Sequence, residues 1–179
     1  MKKLLLAAAL SAAVVAPSAA LAQDPAPSDF KNAAKYCKEF RDGAGKANFV
    51  TMFGTKKNAY GKCVSQTAKK TATEDAEQTQ AAKTNAAKEC KAEGLKGREY
   101  GKCVSTKAKA KKAAADEEDE AQEDDRINAA KSCKTAKNDD AAQFAKDFGT
   151  RKNAFGKCVS KTARENAAER KAEDQAPTA

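Results

Sequence analysis

The chain has 179 residues, with 34 Lys and Arg against 25 Asp and Glu, a formal charge of +9, and neither His nor Trp. The absence of His argues against most side-chain acid–base catalysis and against a His-built metal site. The hydrophobic content of 41% includes 42 Ala residues, so it measures helix propensity more than the capacity to form a core. Composition therefore excludes an ordinary large hydrophobic core.

The first residues have the pattern of a secretory signal peptide. Lys2 and Lys3 precede an uncharged apolar stretch at 4–15, and Ala20-Leu21-Ala22 forms a small-residue cleavage motif. The apolar stretch is too short for a membrane span, which needs about 20 residues. We predict a signal peptide at 1–22, a linker at 23–29 and an exported mature chain without a transmembrane segment. Its destination is then the periplasm, the cell surface or the extracellular medium.

Three blocks of the mature chain share two linked motifs. Each block begins N-A-A-K-x-C and ends [YF]-G-K-C-V-S, and the blocks run over residues 32–65, 85–105 and 128–160. Three copies of a paired motif indicate internal repeats, of which the middle copy is shortened. The predicted divisions are repeats at 30–69, 85–109 and 127–164, polar helical arms at 70–84 and 110–126, and a polar tail at 165–179.

Helical periodicity surrounds the Cys residues of each block. Tyr60, Cys63, Val64 and Thr67, for example, follow the i, i+3, i+4, i+7 pattern of one helix face. Breaks are indicated within each block by Gly43 to Gly45, by Gly94 with Gly97, and by the polar run 138–140. The pattern predicts helices at roughly 28–42, 55–93, 98–137 and 150–174, with Thr55 and Thr150 as N-caps and short helical turns near 46–53 and 140–148.

The predicted fold class is all-α: an extended chain of three disulfide-stapled helical hairpins joined by long polar helices, with no large single core. The arms contain Ala but no large apolar side chain between Val64 and Cys90 or between Val104 and Ile127. An antiparallel pairing brings Lys69 and Lys70 near Asp124 and Asp125, but it also brings acidic residues 74–77 near acidic residues 116–119. Both a continuous helical arm and a fraying, linker-like middle therefore stay open.

Six Cys residues in an exported chain indicate a disulfide framework. Because each block has two Cys on either side of one turn, the repeats predict the pairs Cys37–Cys63, Cys90–Cys103 and Cys133–Cys158. The glycine two positions before each second Cys, at 61, 101 and 156, suggests close approach of the partner helix. A zinc site or a redox dithiol is less favoured because no C-x-x-C motif occurs. No metal, cofactor or catalytic residue is predicted.

The three repeats differ in their number of aromatic residues. The first repeat, at 30–69, carries six of them and the third carries three, so each can form a small cluster around its bridge, whereas the second has Tyr100 with Leu95 alone. Their spacing beside Cys and Val favours a miniature core over a surface for stacking nucleic-acid bases. The block pattern resembles repeats in uncharacterised exported bacterial proteins rich in Ala and Lys. This resemblance covers most of residues 30–164 and implies exported, disulfide-bonded repeats without a transferable activity.

The charge pattern favours a non-enzymatic structural or interaction protein. Lys62, Lys102 and Lys157 recur in the three blocks and, with the basic mature chain, are candidates for binding an anionic cell-surface polymer. Another envelope protein is the other partner considered, and the Lys residues can instead simply confer solubility. The alternative functions are a secreted disulfide-stabilised inhibitor or ligand-binding module, with Lys96 or Arg98 entering a pocket, and, less favoured, nucleic-acid binding. Catalysis is disfavoured because the carboxylates concentrate in the exposed run 116–125.

Overall fold

A computed structural model describes residues 24–54 and 57–175. The predicted signal peptide, the predicted cap at Thr55 and the last four residues of the tail lie outside these ranges. The described residues form six α-helices and no β-strand. The helices are α1 (Pro27–Ala44), α2 (Lys46–Phe53), α3 (Ala59–Ala92), α4 (Gly97–Asp139), α5 (Ala141–Phe148) and α6 (Ala154–Asp174). The all-α prediction is confirmed, and α2 and α5 are the two short helical turns.

The helix ends differ from the predicted ones by a few residues. Helix α1 continues through Gly43, and Gly45 ends it with φ of +78°, a conformation that is costly for residues with a Cβ. The predicted cap at Thr150 is wrong, because α6 begins at Ala154 with Asn153 as its N-cap residue. After Gly149 ends α5, the chain first makes a turn in which the amide of Ala154 donates to the carbonyl of Arg151 at 2.9 Å.

The long arms are continuous helices, which decides between the two alternatives left open. Helix α4 has 43 residues and is therefore about 64 Å long at about 1.5 Å per residue. Helix α3 packs antiparallel to it and buries small residues at helical spacing, namely Ala68, Ala72, Ala82 and Ala86. Polar pairs cross between the helices, with Gln78 donating to Asp119 at 2.7 Å and Lys112 contacting Asp75 at 2.9 Å.

Three disulfides tie successive antiparallel helices together. The bridges are Cys37–Cys63, Cys90–Cys103 and Cys133–Cys158, each with Cα atoms 6.0 Å apart, and this is the pairing that the repeats predict. The explanation offered for the preceding glycines is wrong. A Cβ on Gly101 would meet nothing within 4 Å, and one on Gly61 would meet only the side chain of Asn58 in the preceding turn.

The first and third hairpins share one small cluster instead of forming two. Helix α1 packs on both α3 and α4, and α6 packs on another face of α4. Gly43 permits the α1–α4 approach, since a Cβ there would lie 3.1 Å from Cγ of Lys131 and 3.3 Å from the carbonyl oxygen of Ile127. The joint cluster surrounds two of the bridges and includes Phe40, Phe49, Phe144, Phe155 and Val159.

The second hairpin extends away from this cluster as a pair of helices. Cys90 is buried, but Cys103, Leu95 and Tyr100 are only half-buried, and the buried cluster contains no residue between 64 and 126. All six helices therefore pack together at one end of the molecule, which we call the core end. From there α3 and α4 alone continue as a two-helix arm that is closed by Cys90–Cys103. Large apolar residues stabilise the core end, whereas Ala packing and one bridge hold the arm together.

We expect Phe40→Ala to lower the free energy of unfolding by about 3–5 kcal/mol, because it removes a fully buried ring. Phe40 is 0% exposed and its ring lies 6.1 Å from that of Phe53 and 5.7 Å from that of Tyr36. Denaturant unfolding of the oxidised protein measures the change. Phe30→Ala is the matched control, since Phe30 is 43% exposed. Similar losses in the two variants would contradict the assignment of the core.

Candidate anion-binding surfaces

The three Lys residues singled out from the repeats do not form one site. Lys62, Lys102 and Lys157 are all exposed. Lys62 and Lys157 lie at the core end, on the first turns of α3 and α6. Lys102 lies beside Cys103 on the arm, and Cys103 is bridged to Cys90, 27 residues along α3 from Cys63 and thus about 40 Å away. The repeated lysine marks equivalent positions in separate hairpins.

The end of the arm carries a concentration of positive charge that the motif comparison missed. Residues 83–112 include ten Lys and Arg but three acidic residues, a net charge of +7. We call this segment the basic tip. Counting the net charge in short windows along the sequence would have found it, because acidic stretches lie on both sides of this segment. The antiparallel pairing of α3 and α4 places its two halves side by side.

Three lysines of the basic tip are held in ion pairs with acidic residues. Lys107 contacts both Glu93 and Glu89, and Lys111 contacts Glu89 at 2.8 Å. Lys112 contacts Asp75 at 2.9 Å and also Asp116. Hydrogen bonding from Lys111 lowers the pKa of Glu89 below its ordinary value. These lysines serve the pairing of α3 with α4.

The other seven basic side chains of the tip are exposed and make no ion pair with any described residue. They are Lys83, Lys88, Lys91, Lys96, Arg98, Lys102 and Lys109. Arg98, Lys102 and Lys109 lie within about 40° of one another around α4, on the face opposite Cys103 and Lys107. They form a row on the solvent-exposed side, about 16 Å long at the usual helical rise.

The turn at the end of the tip is short and exposed. Gly94 has φ of +74°, and Lys96 is extended, with φ of −137° and ψ of 160°. Arg98 already belongs to the first turn of α4. Of the two residues proposed to enter a protease pocket, Lys96 alone therefore has extended backbone.

An acidic band separates the basic tip from the rest of the core end. It comprises residues 27–36, 67–82, 113–125 and 165–174, which lie at the same level along the molecule and carry sixteen acidic against six basic residues. Helix α6 contributes cations to it, since Arg170 contacts Glu118 at 3.1 Å and Asp125 at 3.3 Å. Asn166 also donates to the backbone carbonyl of Asp125 at 3.3 Å. These contacts attach the end of α6 to the acidic side of α4.

Two carboxyl groups of the band have pKa values that are shifted in opposite directions. Hydrogen bonds from Arg170 and Lys171 lower the pKa of Glu118 to about 2. Burial raises the pKa of Glu123, and Asp119, Asp124 and Glu120 add to the rise while Lys70 opposes it. Helix α6 thus partly neutralises the band at Glu118, whereas the charged form of Glu123 is disfavoured mainly by burial.

The rest of the core end has a second basic surface. Residues 37–54, 57–66 and 126–164 carry fifteen Lys and Arg against five acidic residues, a net charge of +10. Lys62, Lys146, Lys152 and Lys157 are exposed and lie outside every ion pair of the described residues. A groove between α1 and α4 has mixed charge, with Glu39 and Asp42 facing Lys131 and Lys134. The groove is open to solvent.

Within residues 24–54 and 57–175, no helix has the length and apolarity needed to cross a membrane. The same described part of the chain holds no group of three or more Cys, Asp or Glu side chains arranged to bind a metal ion. No protein-family model matches the chain, and no curated protein or solved structure shows significant similarity to it. The resemblance to exported repeat proteins therefore stays a prediction from the sequence motifs.

We expect Glu118→Gln to lower stability at neutral pH and to have a much smaller effect near pH 2. The folded protein holds the pKa of Glu118 at about 2, below the ordinary value of 4.5, so the ionised group stabilises the fold above pH 4.5. Most of this contribution is lost as the pH falls from 4.5 to 2. Urea unfolding midpoints measured between pH 7 and pH 2 test the expectation. Glu117→Gln, at an exposed neighbour without an ion pair, controls for the loss of one charge. An offset from wild type that is as large at pH 2 as at pH 7 would contradict it.

Proposed function

We propose that this is an exported, non-enzymatic protein whose basic tip binds a linear anionic polymer of the cell envelope. The observation that carries the proposal is the set of seven exposed tip cations that form no ion pair with a residue in 24–54 or 57–175. A protein surface usually intersperses its charges, and a net charge of +7 within 30 residues creates a strong local attraction for polyanions. The binding is electrostatic and lacks a specific pocket.

The shape of the tip supports recognition of a chain of charges. The row formed by Arg98, Lys102 and Lys109 runs along α4, so it can follow successive anionic groups of one polymer. Lys88 and Lys91 project from the outer side of α3 and extend the positive surface around the tip. Each exposed contact contributes little by itself, and affinity comes from many contacts that release counterions. Such binding weakens steeply as salt increases.

A nucleic acid is the less favoured polyanion. Proteins that bind single strands without sequence preference usually provide exposed aromatic rings on which bases stack. Tyr100 is the aromatic residue of the tip, and it is half-buried next to the bridge. Outside the tip, Tyr60 is 38% exposed, but the guanidinium of Arg41 lies over its ring at 5.5 Å and its hydroxyl donates to the carbonyl of Ala34. Phe30 is 43% exposed, but it lies at the level of the acidic band. An envelope polymer bearing phosphate or carboxylate groups needs no such rings.

The proposed location outside the cytoplasm has two supports. The sequence has the pattern of a signal peptide at 1–22, and three disulfides are typical of proteins in an oxidising compartment. The bridges also suit the proposed role, because Cys90–Cys103 holds both halves of the tip together without a large apolar cluster.

A protease inhibitor is the second function considered. The extended and exposed Lys96, between Gly94 and Gly97 and close to a bridge, is the observation in its favour. The helical position of Arg98 weighs against it, because a substrate-like loop needs several consecutive extended residues. Assays with trypsin-like proteases decide this alternative: tight inhibition that is lost in Lys96→Ala would support it, and an absence of inhibition would eliminate it.

The main proposal is tested by removing unpaired tip charges. We expect Lys91→Gln/Lys102→Gln/Lys109→Gln to weaken binding to long-chain polyphosphate and to reduce the slope of log K against log salt by roughly 2, from about 0.7 per lost contact. Fluorescence anisotropy at several salt concentrations gives both quantities. The matched control is Lys107→Gln/Lys111→Gln/Lys112→Gln, which removes the same charge from ion-paired positions and is expected to change the slope by less than 1.

Three results would overturn the proposal. Wild-type protein that does not bind polyphosphate or poly-glutamate at low salt would exclude polyanion binding altogether. Equal effects of the two triple variants would show that the unpaired tip cations have no special role. Preference for single-stranded DNA over polyphosphate of equal charge would favour the nucleic-acid alternative.

A further inference from the structure

The charges of the molecule alternate in three zones along α4. The basic tip has a net charge of +7, the acidic band −10, and the second basic surface at the core end +10. Helix α4 passes through all three zones at residues 97–112, 113–125 and 126–139. The two basic zones are therefore separated by a zone that repels any polyanion.

The separation is large compared with the range of electrostatic forces. Thirteen residues of α4 lie in the acidic band, which makes it about 20 Å wide, whereas the Debye length at physiological salt is about 8 Å. The midpoints of the two basic zones on α4 are about 40 Å apart at the usual helical rise. Each zone therefore attracts anions independently of the other, and one strand cannot lie along the whole molecule without crossing the repulsive band.

The distance between the zones is fixed by the fold. Two continuous helices, α3 and α4, connect the tip with the core end. Cys90–Cys103 joins their ends at the tip, and at the core end Cys37–Cys63 joins α3 to α1 and Cys133–Cys158 joins α4 to α6. Arg170 and Lys171 attach α6 to Glu118 in the band. The two basic zones cannot fold back onto one another.

We infer that each molecule binds two separate strands of anionic polymer, one at the basic tip and one at the core end, and so cross-links them. The inference rests on the proposed function, since it assigns a second binding zone and a bridging role to the same kind of ligand. The acidic band prevents a single strand from occupying both zones along the shortest path.

The experiment compares the full-length mature protein with two matched quadruple variants. Lys88→Glu/Lys91→Glu/Lys102→Glu/Lys109→Glu reverses four exposed charges of the tip, and Lys62→Glu/Lys146→Glu/Lys152→Glu/Lys157→Glu reverses four at the core end. The probes are an oligophosphate shorter than the separation of the zones and long-chain polyphosphate. Calorimetry gives the number of short oligomers bound, and light scattering detects cross-linked assemblies. Circular dichroism verifies that each variant is helical.

We expect the wild-type protein to bind two short oligomers per molecule and to form large assemblies with long-chain polyphosphate. Each quadruple variant should bind one short oligomer and give at least tenfold less scattering. One oligomer per wild-type molecule, or scattering that persists in both variants, would overturn cross-linking. If that single oligomer were lost in the tip variant, the proposed function would still stand. Assemblies of the protein alone at the same low salt would also overturn the inference, because the tip of one copy would then be binding the acidic band of another.

Discussion

The covalent bridges compensate for the scarcity of large apolar side chains, and the rest of the structure depends on them. With 13 Leu, Ile, Val and Phe residues after position 22, the chain cannot bury enough apolar surface along its whole length. A disulfide closing a loop of 13 to 26 residues can contribute about 3 kcal/mol, mainly by restricting the unfolded chain. Apolar residues are accordingly concentrated at the core end around two bridges, and the arm needs just the third.

The scarcity of large apolar side chains determines the surface as well as the interior. Because Ala residues pair α3 with α4, the arm is thin, and nearly every Lys, Arg, Asp and Glu on it reaches solvent. Helix α6 ends at Asp174, at the level of the acidic band, so its cations offset the carboxylates there and leave the tip uncovered. The distribution of charge is thus a direct result of which helices extend along which part of α4.

The sequence predicted what repeated or periodic patterns encode: the helical hairpins, the three bridges and the positions of α2 and α5. It could not predict the joining of the first and third hairpins, because this depends on contacts distant in sequence, such as Gly43 against Lys131. The sequence also predicted the wrong start for α6. Thr is a residue type favoured at N-caps, so Thr150 was predicted there, but Asn153 occupies the N-cap position. For the candidate site, motif comparison selected Lys62, Lys102 and Lys157, equivalent residues that the fold disperses. The proposed site depends instead on the local charge of residues 83–112, whose two halves come together only when α3 packs against α4.

The double connection between the tip and the core end has a mechanical consequence. A pull applied to the tip is divided between α3 and α4, because the Cys90–Cys103 bridge keeps the two helix ends level and prevents one from sliding past the other. At the opposite end, the tension in α3 passes into α1 through Cys37–Cys63, and that in α4 passes into α6 through Cys133–Cys158. Each helix of the arm is thus anchored covalently to another helix at the core end, and extension of the molecule requires stretching two helices at once.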